Sequence, residues 1–133
     1  MKSTIELICT ATLALAAILH SAPAKADKAY DACMEHSDGT NPAWAKCGQD
    51  WVDREEAKLN ATWKKLYAGL SGKTKSDLLT EQRLWNAYKE ASCMYHANGD
   101  YGREGEVVDF PTCRAGVIAA RTKELEAIGK AIN

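Results

Sequence analysis

The sequence predicts an all-α protein: a small antiparallel bundle made of a helical hairpin, a C-terminal helix and a short N-terminal helix, stapled by two disulfides. Three observations point there. Apolar residues recur at steps of three and four through most of the chain beyond Asp27. No segment joins an alternating period to hairpin turn chemistry, and the weak strand candidate is Glu106 to Phe110. Four of the five cysteines follow a stretch that reads as an export signal.

That stretch is residues 1–26. Lys2 gives a positive start, Ile5 to Leu19 is mostly apolar, and Ala24-Lys25-Ala26 places small residues where a signal peptidase reads them. Cleavage before Asp27 is expected, leaving 27–133 as one domain in the periplasm or secreted. A membrane anchor is the competing reading, but the apolar run is interrupted by Glu6 and is shorter than the roughly 20 residues a span needs. Cys9 sits too early for a lipoprotein attachment site and leaves with the signal.

Cys33, Cys47, Cys93 and Cys113 remain, an even number in an exported small domain, which reads as two disulfides. Four cysteines allow three pairings. Cys33–Cys47 with Cys93–Cys113 is favoured because each closes a moderate loop rich in Gly, Asp and Asn, while nested and crossed connections stay open. A metal site using His36 or His96 is disfavoured, since the chain has no Cys-x2-Cys pair and oxidation competes with thiolate binding.

The helices follow in order. Ala29, Tyr30, Cys33 and Met34 suggest a short one, stopped by the turn signals Asp38-Gly39 and Asn41-Pro42. Asn41 can cap the next helix with Pro42 at its first position. That helix runs to Tyr67 or Leu70, with Trp44, Cys47, Trp51, Leu59, Trp63 and Leu66 at helical steps and a break or kink near Gly48. Gly72 suits a left-handed stop. A third helix is expected from Ser76 to Tyr95, with Leu78, Leu79, Gln82, Trp85, Tyr88 and Ser92 inward and Lys89 outward. Trp63 and Trp85 become candidates to meet across the hairpin. Ala97 to Asp109 holds three glycines and no helical period, so it reads as a loop. The final helix is expected from Pro111 to Ile128 or beyond.

Charge excludes more than it suggests. Losing two basic and one acidic residue with the signal leaves 15 basic against 17 acidic, a net charge of −2. This offers no footprint for nucleic acid and mildly suits a cationic partner. Nothing resembles a catalytic constellation: His36 and His96 lie in no nucleophile or zinc motif, and no phosphate or cofactor loop is present, so neither an enzyme nor a cofactor is expected. Asp53, Glu55 and Glu56 read as a solvated helix face. The four tryptophans could form a sugar platform, but at helical spacing they read as core, with Trp44 and Trp51 the exceptions to watch.

Leu59-Asn60-x-x-Trp63-x-x-Leu66, then Gln82-Arg83-x-Trp85-x-x-Tyr88-Lys89-x-x-x-Cys93, then Cys113-x7-Arg121-x3-Leu125 form an ordered set. In this the chain resembles the N-terminal domain of the LprI-like lysozyme inhibitor family. Trp63 stands where that family more often has Tyr, and Ile118 where Thr is common. The resemblance implies an exported, disulfide-stapled helical inhibitor that occludes a lysozyme or other cell-wall hydrolase. It also implies a structural role for Leu59, Asn60, Trp63, Gln82, Arg83, Trp85, Tyr88 and Arg121. A lysozyme's cleft carries two carboxylates on a protein that is usually basic, so an acidic protrusion suits the task. The expected contact residues are Asp100, Tyr101, Glu104, Glu106 and Asp109. The alternative is a periplasmic interaction module of the cell envelope with no inhibitory activity.

Overall fold

The computed structural model describes residues 27–132; the expected signal segment lies outside them. Helix α1 spans Lys28–Glu35, α2 Asn41–Gly69, α3 Gly72–Ala91 and α4 Phe110–Ile132. Among the described residues there is no strand, and no helix is long and apolar enough to cross a membrane. The disulfides are Cys33–Cys47 and Cys93–Cys113, with Cα atoms 5.7 and 5.8 Å apart.

The three long helices run up, down and up. Gly48 meets Pro111 at one end of the α2–α4 pair and Leu66 lies beside Gly129 at the other, so these two helices run parallel. Helix α3 runs antiparallel to α4 along its side, with Glu90 against Arg114 and Gln82 against Arg121. The tightest packing joins α2 to α4 rather than to its hairpin partner α3. Their shared core holds Cys47, Trp51, Val52 and Leu59 from α2 and Ala115, Ile118 and Leu125 from α4, joined by Leu70 and Leu78. Ile118 and Leu125 are completely buried. Tyr30 brings α1 onto this core, its ring 4.8 Å from that of Trp51.

Gly48 does not break α2, which is continuous over 29 residues. Its role is close approach: a Cβ there would sit 2.6 Å from Pro111 Cγ, so glycine is what allows α2 and α4 to touch at this crossing. The α2 cap also differs from expectation. Thr40, not Asn41, is extended and accepts from the Ala43 N–H at 3.4 Å, while Asp38 fixes Thr40 by accepting from its hydroxyl and its N–H.

Helix α3 starts and ends earlier than its periodicity suggested. Gly72 takes φ +55° at the turn out of α2, and Cys93 takes φ +67° just past the Ser92 cap. A left-handed residue at that position stops a helix, usually as glycine; here the cysteine adopts it at a cost of about 1 kcal/mol or more. The inner face is rotated as well. Leu78 and Gln82 are buried, but Tyr88 is 58% exposed, and Lys89, expected outside, turns in to Glu56 at 2.9 Å. Trp63 and Trp85 do not pair: Trp63 stacks on Tyr67 with ring centroids 5.0 Å apart, and Trp85 lies under the Arg121 guanidinium.

The segment expected as a loop is ordered. Met94–His96 forms a 3-10 turn, Gly102–Glu104 one α-turn, and Gly105–Asp109 a π-helical stretch that feeds into α4. The strand candidate Glu106 to Phe110 is therefore helical. Its glycines and close-set acids hid a helix whose stability comes from packing: Val107 is buried, and a Cβ on Gly105 would meet His96 O at 2.6 Å.

Candidate partner-binding surface

The bridge to Cys113 pins the start of the 94–109 segment against α4, and its glycines shape the excursion. Gly99 and Gly102 adopt φ +94° and +66°, and Asn98 Oδ1 accepts from the Asp100 N–H at 2.9 Å, closing a tight turn. Gly105 then packs under Tyr101 and the His96 carbonyl, so the excursion returns on itself. The product is a folded-back surface segment with exposed tyrosine rings, seated on the bundle through buried Val107. Tyr95 and Tyr101 meet edge to face at 6.4 Å, and His96 lies 4.1 Å from Tyr95 and 5.6 Å from Tyr101. Tyr95, Tyr101 and Met94 are each about half exposed or more.

The five expected contact residues divide here. Asp100, Tyr101 and Glu104 are exposed, and neither of these two carboxylates has a partner among the described residues. Glu106 pairs with Arg103, and Asp109 faces His96 Nδ1 at 3.9 Å; both are half-buried. So three of the five are exposed, Glu106 is paired within the segment, and Asp109 stays partly exposed beside His96.

The residues marked by the sequence motif also divide. Arg121, 2% exposed, donates from Nε to Gln82 Oε1 at 3.0 Å and from Nη1 to Glu81 and Glu124 at 2.7 Å. This buried charge with several acceptors ties α3 to α4. Leu59 is buried, and Trp63 and Trp85 pack against the core. Asn60, Arg83 and Tyr88 are exposed, so packing does not explain them.

The LprI family, described as lysozyme inhibitor LprI, matches over residues 33–125. The chain belongs to this family. The match spans both disulfides, helices α2 and α3, the 94–109 segment and α4 as far as Leu125. No curated protein and no solved structure matches the chain.

Two surface features escaped the sequence reading. Leu84, 69% exposed, and Tyr88 lie four residues apart on the outer face of α3. Trp51, one of the two tryptophans held open as a ligand platform, is 4% exposed and belongs to the core, while Trp44 donates its indole N–H to Ser37 Oγ at 3.1 Å. Trp63, in contrast, lines a cleft. The helical spacing that argued for core at all four sites could not separate a fully covered ring from one at the edge.

Proposed function

We propose that this LprI protein is exported with loss of residues 1–26 and inhibits a lysozyme or related cell-wall hydrolase by steric blockade, without turnover. The observation that carries this is the family match combined with a disulfide-anchored surface segment in which Asp100, Tyr101 and Glu104 are exposed to solvent. Tyr101 is the anchor, a rigid ring entering the substrate cleft. Asp100 and Glu104 pair with basic groups around the cleft rather than with its catalytic carboxylates, which repel them. Glu106 pairs with Arg103 inside the segment, and Asp109 lies 3.9 Å from His96 Nδ1. Because the bridge and the Gly105 contact order the segment beforehand, little conformational entropy is left to lose on binding.

Export is supported by the same bridges, since disulfides persist in the periplasm and outside the cell. Asp27, the expected first residue after cleavage, already caps α1 through the Ala29 N–H at 2.7 Å and pairs with Arg54. Intact mass of the exported protein should show a chain beginning at Asp27 and lacking four hydrogens.

The test is titration of the oxidised protein, purified from the periplasm after expression of the full chain, into several lysozymes acting on cell walls. Inhibition at micromolar protein, weakening with salt, is expected. No inhibition of any lysozyme type sinks the reading. The exposed Leu84 and Tyr88 favour the alternative of an envelope interaction module, for which inhibition is absent and a Leu84→Glu, Tyr88→Glu variant loses its envelope partner.

A further inference from the structure

Helices α2 and α3 do not close on each other along their whole length. Between them lies a cleft of about 250 Å³ lined by Glu56, Leu59, Asn60, Trp63, Gln82, Asn86 and Lys89. The segment 94–109 contributes nothing to it. Several of the lining residues belong to the ordered motif, and the inhibitory surface leaves them without a task.

The chemistry of the walls is specific. Glu56 and Lys89 neutralise each other at 2.9 Å, so the cleft offers no net charge to select an ionic ligand. Three side-chain amides remain. Gln82 is fixed because its Oε1 accepts from buried Arg121, which leaves its NH2 group to donate. Asn60 and Asn86 have no side-chain partner among the described residues, and each offers a donor and an acceptor at the cleft. Trp63, one ring face of which is stacked on Tyr67, supplies an aromatic wall beside them, and buried Leu59 an apolar floor. Planar amides that match adjacent hydroxyls, next to an indole that takes the C–H face of a ring, are what a neutral sugar requires. The cleft is smaller than the roughly 300–1,000 Å³ of pockets that enclose drug-sized ligands, so it fits one ring.

We propose that this cleft is a binding site for one pyranose unit of a neutral saccharide, with Asn60, Gln82 and Asn86 reading hydroxyl or acetamido groups and Trp63 packing on the ring. Binding is weak, on the order of millimolar, because one sugar contributes few contacts. In an envelope protein such a site holds the inhibitor on the glycan that its target cleaves.

The experiment is an NMR titration of the exported, oxidised protein, without any lysozyme, using the trisaccharides of N-acetylglucosamine and of glucose as separate probes. Expected are saturable shifts for at least one probe at residues 56–63 and 82–89 and at the Trp63 indole N–H, with segment 94–109 unmoved. An Asn60→Ala, Asn86→Ala variant changes two exposed residues, so it keeps the fold and should lose at least about tenfold in affinity. No shifts at about 20 mM of either sugar, shifts confined to another surface, or undiminished binding by the double variant each overturns the site. Because no lysozyme is present, failure here is distinct from failure of inhibition.

Discussion

The two disulfide-enclosed segments have nearly equal Cα separations at their bridges, yet they do different work. The first, between Cys33 and Cys47, bonds several of its polar groups to one another. Asp38 and Thr40 bond each other, Ser37 accepts from the Trp44 indole, and Tyr30 just before the segment is sealed against Trp51. The second, between Cys93 and Cys113, satisfies its backbone with turns and a π-helical stretch while leaving two tyrosine rings and two carboxylates in water. The same cross-link fastens a helix start in one place and displays a surface in the other.

The strongest way to break this contrast is to remove each bridge. Bridges closing 14 and 20 residues should each contribute about 3 kcal/mol. Urea unfolding of Cys33→Ala, Cys47→Ala and of Cys93→Ala, Cys113→Ala should show similar losses. Only the second should also lose inhibition, measured under conditions where both variants are folded. Equal loss of inhibition in both would dissolve the distinction.

Next come the glycine contacts. Gly48→Ala forces a methyl into Pro111 and Gly105→Ala forces one into His96 O and Tyr101, each costing about 1–3 kcal/mol in denaturant midpoints. Gly48→Ala should loosen the α2–α4 frame and spare the proposed inhibition by folded protein, whereas Gly105→Ala should move the 94–109 segment and reduce it. A finer cut is Tyr101→Ala. Its ring is 58% exposed, so stability should change by less than about 0.5 kcal/mol while inhibition falls about tenfold or more.

The smallest effect is acid sensitivity of the first segment. The Thr40 hydroxyl and N–H hold the Asp38 carboxyl below its usual range. A depressed folded-state pKa contributes stability that is fully present above the unfolded value near 4 and is lost as pH falls through the folded value. Thermal melts from pH 5 to pH 2 should therefore show a slightly smaller acid-induced drop for Asp38→Asn than for the parent. Identical drops would show that this capping bond contributes nothing.

Much of the fold was legible because it rests on local signals. Asp38-Gly39 and Asn41-Pro42 announced a turn, the apolar steps from Trp51 to Leu66 announced a long helix, and the loop compositions favoured the pairing that the structure contains. Helix ends were less legible. Cys93 stops α3 in a left-handed conformation that sequence assigns to glycine, and the early residues of the last helical run hide among glycines whose helicity depends on Val107 being buried. For the surface, sequence marked the 97–109 segment but could not say which of its acids stay exposed, because the pairing of Glu106 with Arg103 and the approach of Asp109 to His96 arise from how the segment folds back.

By itself, then, the sequence determined the helical class, the number of bridges and the family, since periodicity, cysteine number and motif order are properties of the chain, while the pairing of the cysteines is settled by the fold. Tertiary structure decided which faces are free. Helix α2 packs on α4 because Gly48 lets Pro111 approach, and that choice leaves α3 to be held by Arg121 and Lys89. A helix tied by long polar side chains instead of close backbone contact turns Tyr88 to solvent and opens a cleft beside Trp63. Neither outcome can be read from helical spacing, which gives the face of a residue but not the distance to the neighbouring helix.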